Sequence, residues 1–160
     1  MLKEKYNKIV IPEMKNKFGY KNNLAVPKII KVVVNTGVGS IKDEKQVEVI
    51  EKQLALITGQ KLARRPAKKS IASFKTRQGA LAGYSATLRG QRMYDFLDRM
   101  LNIAMPRIGD FRGLDSKAID EAGNLSIGFK EHTIFPEISE EEIKMIFGLQ
   151  AVIITSAKTR

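Results

Sequence analysis

Apolar stripes at helical spacing alternate along this chain with short runs of β-branched residues, and stripes of that kind need a sheet face to cover. Met93, Phe96, Leu97, Met100, Leu101 and Ala104 form one such stripe, which Pro106 brings to a close. Val47, Ile50, Leu54 and Ile57 form another, between Asp43 as a candidate cap and Gly59 as a stop. Residues 2–18 carry a third, Tyr6, Ile9, Val10, Met14 and Phe18, ended by Gly19. Pro12 lies inside that third stripe and predicts a kink or a division of its helix.

The intervening runs read as strands. Residues 28–34 (KIIKVVV) predict a buried one, and shorter ones are expected over residues 61–65, 81–88, 125–129 and 151–156. The basic stretch from about 65 to 83 has no strong period and predicts an extended loop. Residues 107–123, rich in glycine and aspartate, predict an irregular segment. Ser139 with Glu142 makes a capping-box pattern and predicts a short helix over residues 140–147. The order is α-β-α-β-β-α-loop-β-α-β. It predicts an α+β fold in one domain over residues 1–160: a mainly antiparallel sheet with helices packed on one face. The other face is left open, and in RNA-binding folds an open sheet face is often the working surface.

Charge narrows the function. The net charge is +11, an excess that an anionic partner would offset. Its distribution says more than its total. Between Lys61 and Arg92 there are nine Lys or Arg and no Asp or Glu, whereas from Asp110 to Glu142 nine acids face three bases. A chain merely solubilised by charge would mix its signs, so a basic face and an acidic face with two different neighbours are expected. Hydrophobic residues make up 43% of the chain, which argues for a folded core. No apolar run approaches the roughly 20 residues of a membrane span, and the lysine-bearing first segment does not read as a signal peptide. The absence of cysteine excludes disulfides, a thiolate nucleophile and Cys-based metal sites.

The motifs that could carry chemistry are few. NTGVGS at residues 35–40 follows a strand as a dinucleotide loop would, but the third glycine of that fingerprint falls on Lys42. The better reading is a turn at Gly37 and Gly39 whose backbone can approach a sugar-phosphate chain. In KLARRPAKKSIASFKTRQG, Lys and Arg can neutralise phosphates and release counterions. Phe74 lies among them and either stacks on a base or anchors the loop. His132, the sole histidine, reads as structural. Glu137, Glu140, Glu141 and Glu142 suit the start of a helix better than paired catalytic carboxylates. No nucleophile elbow or phosphate-binding loop accompanies them, so no enzyme and no cofactor are expected.

Five segments, in order and in register, carry a resemblance. They are VVVNTGVG, ITGQKLARRPAKKSIASFKTRQG, TLRGQRMYDFLDRM, MPRIGDFRGL and HTIFPEI. Together they resemble the bacterial-type, 5S-rRNA-binding ribosomal protein number five of the large subunit, over essentially the whole chain. The resemblance implies the α+β fold reached above and a cytoplasmic, ribosomal setting in the central protuberance. It implies 5S rRNA as the main partner, with 23S-type rRNA and other 5S-binding ribosomal proteins as neighbours.

Residue by residue, the resemblance implies 5S contacts at Asn35 in NTGVG, Gln60 in TGQK and Thr87 in TLRG, with Lys15 on the first helix meeting a phosphate. Amide and hydroxyl groups suit sugar, phosphate and exposed base edges. The loop at 65–83 resembles the family's arm toward P-site tRNA, with Lys75, Arg77 and Gln78 on its backbone near the elbow. The segment around RIGDFRGLDSKAIDEAGN resembles the region that bridges to a protein of the small-subunit head. Members of the family usually continue past TSAKTR with a further helix and short tail. A free-standing RNA-binding or RNA-chaperone domain is the competing expectation. It would share the basic loop but gives no reason for the acidic segment.

Overall fold

The computed structural model describes residues 2–109, 111–139 and 145–159. Five strands form one sheet: β1 (Ile29–Gly37), β2 (Ala63–Pro66), β3 (Leu81–Leu88), β4 (Leu125–Phe129) and β5 (Leu149–Thr155). Their order is β2-β3-β1-β5-β4, and every neighbouring pair is antiparallel. The expected α+β class and the β2–β3 pairing are both found. Alternation along β1 explains how the sheet chooses its faces. Val32, Val34 and Thr36 are buried, and their cross-strand partners, Leu88, Ala86 and Tyr84 on β3 and Ile153 and Ala151 on β5, are buried with them.

Two helices cover that face. In α2 (Glu44–Thr58), the Asp43 side chain accepts from the Lys45 N–H at 3.0 Å and so caps the first turn, while Gly59 ends the helix at φ 66°. Its buried stripe is Ile50, Leu54 and Ile57. Helix α3 begins as Gly90–Arg99 and buries Met93, Phe96 and Leu97. Fully burying a side chain of this size contributes about 1.5–3 kcal/mol, so these stripes, more than local propensity, hold the helices on the sheet. Phe135, from the segment after β4, stacks on Phe96 at 5.9 Å and meets Phe129 edge-on at 5.6 Å. A tie at the edge of this core comes from Arg99, which donates from Nη2 to the Ile57 carbonyl at 3.0 Å and pairs through Nε with Glu137.

Pro12 and Pro106, the prolines within helical segments among the described residues, are accommodated in one way. A proline lacks the N–H for the helical bond and crowds the carbonyl four residues back. Ahead of Pro12, Tyr6–Val10 forms a π-turn in which the Ile11 N–H reaches Tyr6 O. Ahead of Pro106, Met100–Ala104 does the same, with the Met105 N–H on Met100 O. The first helix, α1, therefore runs from Leu2 to Phe18 without dividing, as α-helix, π-turn and α-helix in turn.

The π-turn also upsets the expected stripe of α1, because it takes more residues per turn than the period used to read it. Tyr6, Val10 and Met14 are half-buried, while Ile9 and Phe18 are 47% and 60% exposed. Helix α1 does not cover the sheet. Its start packs beside α3, where residues 2–4 line a small cavity of about 120 Å³ with Gln91, Tyr94, Asp95 and Asp98. The Tyr6 hydroxyl donates to the Pro27 carbonyl at 3.0 Å, just ahead of β1. The helix expected over residues 140–147 lies mainly on 140–144, outside the described residues. Residues 145–147 carry no helix.

Candidate nucleic-acid interface

The odd-numbered residues of β1 define the surface opposite the helices. Lys31, Val33 and Asn35 alternate with the buried set and are half-buried. Register then assembles a row across the sheet at Asn35: Ala63 and Ser85 on one side, Gln150 and Gly128 on the other. A second row at Val33 brings in Thr87, Val152 and Ser126. Lys31 stands opposite Ile154, and Arg65 opposite Gly83. No acidic residue occurs on this face among the described strand residues, and its two charges, Lys31 and Arg65, are both positive.

Of the four residues implied as 5S contacts, Asn35 and Thr87 lie on this face, and Gln60 is bonded to the Thr87 main chain. Asn35 Nδ2 donates to Gln150 Oε1 at 3.4 Å, which leaves the Asn35 carbonyl oxygen as a presented acceptor. Gln60, in the turn after α2, donates from Nε2 to the backbone carbonyl of Thr87 at 3.2 Å, and both residues are half-buried. Lys15 does not join them. It is in the last turn of α1, where its carbonyl accepts from Gly19 N, and no described contact connects it to the sheet.

Asn35 is expected in a glycine loop after the strand, but the strand continues through Gly37. That continuation needs a glycine on the neighbouring strand, because a Cβ at Gly83 would collide with the Thr36 carbonyl oxygen. The backbone N–H groups of Val38 and Gly39 are spent on the Ala82 carbonyl, at 2.9 and 3.1 Å. They form no phosphate cradle. With β1 antiparallel to both neighbours, the parallel βαβ unit of a dinucleotide fold is absent here.

The basic segment is less open than expected. Beyond β2 it folds into a closed excursion. Ala67 and Ala80 bond at 2.8 Å, Gly79 N reaches Ala67 O at 2.9 Å, and Gln78 N reaches the Ser70 hydroxyl at 2.9 Å. A bridge between Ile71 and Thr76 closes the tip. Lys68, Lys69, Lys75, Arg77 and Gln78 flank or form that tip, and of these Lys75 lies with Phe74 in the turn that the bridge closes. The implied tRNA residues thus share one ordered tip, separate from the Asn35 row.

Some members of the open face are not apparent from the sequence. Arg65 donates from Nε to the Ser85 hydroxyl at 2.7 Å, which lays its guanidinium along the sheet. Gln150 and Lys31 face the same way. A signal for Lys31 exists: from residue 14 to residue 42 the chain has six lysines and no acid. Gln150 and Ser85 have none, since only register brings them together.

The acidic segment spends part of its charge internally. Asp115 caps the short Ser116–Ala118 turn, and Asp120 accepts from both the backbone and the side-chain amide of Asn124. Those bonds hold the Asp120 carboxyl below its ordinary value. His132 is fully buried, with Nδ1 accepting from the Phe147 N–H at 3.5 Å and the ring stacked on Phe147 at 4.0 Å. Burial holds its pKa below the ordinary 6.5, so it serves the core as a neutral ring. Among the described residues, no group of His, Asp or Glu could hold a metal ion, and no helix is long and apolar enough to cross a membrane.

Residues 22–77 match the family described as ribosomal protein L5, and residues 81–160 match the model of that ribosomal family's C-terminus. The large ribosomal subunit protein uL5 of Syntrophomonas wolfei is 50% identical over 159 residues, which cover 99% of this chain and 89% of that protein. The chain belongs to the ribosomal protein L5 family. Proteins of the same description from Alkaliphilus oremlandii and Dictyoglomus turgidum are each 49% identical, with the same coverage. The L5 family is one of structural ribosomal proteins and is not enzymatic, which disposes of the nucleotide-enzyme reading of NTGVGS. The two matched segments meet in the sheet: β1 and β2 come from the first, and β3, β4 and β5 from the second.

Proposed function

We propose that this chain is a structural component of the large subunit of the cytoplasmic ribosome and binds 5S rRNA through its open sheet face. Family membership supports the ribosomal role, and the lack of acids among the described strand residues of the face supports the assignment of a surface. The observation that carries it is the placement of Asn35 and Thr87 in neighbouring rows of that face, with Gln60 bonded to the Thr87 main chain and Lys31 and Arg65 as the only charges among the face's described strand residues. Cations there would supply phosphate affinity, and the amides and the Thr87 hydroxyl would address ribose and base edges. Lys15 adds a phosphate contact from α1. In this reading residues 1–160 act as one domain, because both family segments contribute to one sheet and one core.

The two other surfaces have other neighbours. The basic tip, through Lys75, Arg77 and Gln78, meets the backbone of P-site tRNA without regard to sequence. The segment at 107–123 faces a basic protein of the small-subunit head. Phe111, Leu114 and Ile119 are exposed there beside Asp115, Asp120 and Glu121, which gives that contact an apolar component as well as charge. In the central protuberance, 23S-type rRNA and other 5S-binding proteins lie alongside.

A photo-crosslinking amino acid at Gln150 or Ser126 tests the surface assignment against one at Lys52 on the exposed side of α2. Crosslinks to 5S rRNA from the sheet positions alone are expected. Crosslinks from Lys52 alone would place the RNA on the helical side and overturn the assignment.

A further inference from the structure

The tip of the basic excursion has two features that phosphate neutralisation does not require. Phe74 stands 76% exposed at its end, although an aromatic ring in water loses the burial that ordinarily justifies it. The next residue, Lys75, is the only non-glycine residue with positive φ among the described residues, at 51°. A lysine is held there against the steric preference of its Cβ. Three sets of bonds hold it: Lys75 N to Ala72 O at 3.0 Å, the two-way Ile71–Thr76 bridge, and the Thr76 hydroxyl on the Phe74 carbonyl at 3.2 Å. The turn therefore carries the ring on a hydrogen-bonded backbone rather than on a loose loop.

The surroundings state what the ring is offered to. Ser70, Ile71, Ala72, Lys75, Thr76 and Arg77 line an open depression of about 440 Å³ in the same tip, with apolar, hydroxyl and cationic groups together. Lys68, Lys69, Lys75 and Arg77 flank the ring in sequence with positive charge and no acid. A lipid surface or an apolar protein partner would find that apolar area too small and too heavily charged. A duplex backbone would use the cations and leave the ring idle. A single unstacked nucleotide uses both, because its base has a π-face and its phosphates need cations.

We propose that the tip at residues 70–78 takes one splayed-out nucleotide of its RNA partner, with Phe74 stacking on the base while Lys75 and Arg77 hold the flanking phosphates. This rests on the reading of the loop as an RNA contact and deepens it. The loop then recognises a local RNA shape, an exposed base, and remains indifferent to which base it is.

The chain has no tryptophan, so Phe74→Trp installs a single fluorescent reporter at the ring. The probes are an RNA hairpin with a one-nucleotide bulge and the same stem fully paired, each titrated into the full chain. Bulged RNA should quench the reporter strongly and the paired stem should not. The unmodified chain and Phe74→Tyr should prefer bulged RNA about tenfold, and Phe74→Leu should lose that preference with its salt slope unchanged. Equal preference in Phe74→Leu, or equal quenching by both RNAs, overturns the inference. The paired variant Lys75→Glu, Arg77→Glu separates it from the reading of the loop as an RNA contact. If that variant binds tRNA and both hairpins like the unmodified chain, the loop meets no RNA and both ideas fall. If it loses RNA while Phe74→Leu behaves like the unmodified chain, only the stacking role falls.

Discussion

Gln60 donates its side-chain amide to the backbone carbonyl of Thr87 across 3.2 Å, which pins the turn after α2 to the main chain of β3. The bond uses the Gln60 NH₂ and the Thr87 main chain. It leaves the Gln60 carbonyl oxygen and the Thr87 hydroxyl available to a partner. Two residues 27 positions apart become one polar site through a contact that needs neither functional oxygen.

The site residues therefore separate by role. Thr87→Ala keeps the Gln60 anchor and removes only the hydroxyl, and Asn35→Ala removes an amide half-supported by Gln150. Each should weaken 5S rRNA binding by about 1–3 kcal/mol with the fold intact, since a polar RNA group loses its partner. Filter binding with circular dichroism as the folding control checks this. Unchanged affinity in both variants would remove the site assignment.

The loop should act independently of that site. Reversing the charges of Lys75 and Arg77 is predicted to leave 5S binding unchanged and to speed loss of P-site tRNA from assembled ribosomes. The hydrogen bonds of their tip close within the excursion and none reaches the Asn35 row, so the effects should be additive. Loss of 5S binding in that variant would merge two surfaces assigned here to different partners.

His132 gives the fold a pH dependence of defined sign. Its folded pKa lies below the unfolded value near 6.5, so the unfolded chain takes up its proton first as the pH falls. The stability it contributes is fully present above about pH 6.5 and is lost as the pH drops toward the depressed folded value. The urea midpoint should therefore fall between about pH 7.5 and about pH 5.5, and His132→Leu should flatten that fall. An equal fall in the variant would assign the effect elsewhere. Asp120, with its lowered pKa, is not the alternative, because its contribution is lost only in the more acidic carboxylate range.

Arg99 links α3 to the end of α2 and to the segment carrying Glu137. Arg99→Ala should cost about 2–3 kcal/mol, less than a fully buried pair because the guanidinium is partly exposed. A double-mutant cycle with Glu137→Gln isolates the pair, and a coupling near zero would show that the Ile57 bond alone matters.

Much of the fold is legible in the sequence because local chemistry and tertiary packing agree. Asp43 and Gly59 bound α2 as expected, and the Ile50–Leu54–Ile57 stripe is the one that is buried. Where sequence and structure part, the deciding contact is distant in sequence. Gly37 reads as a loop residue because nothing nearby shows that it pairs with Gly83. The α1 stripe is read at a period that the π-turn ahead of Pro12 does not keep. The basic segment reads as extended because its closing bonds run between backbone groups and the Ser70 hydroxyl, which no periodicity reports. Asn35, Gln60 and Thr87 are identified through resemblance alone. That Asn35 and Thr87 share a face follows from strand register, which a single sequence does not display.

The central claim is that the open face holds 5S rRNA specifically. Titrating purified 5S rRNA with the protein across a salt series, with bulk tRNA as competitor, tests it most directly. Binding is expected to survive excess tRNA, to fall log-linearly with salt, and to drop sharply in the Asn35→Ala, Thr87→Ala double variant. Binding that tRNA displaces equally well, with the double variant indistinguishable from the unmodified chain, would contradict it and leave only a generic basic RNA binder.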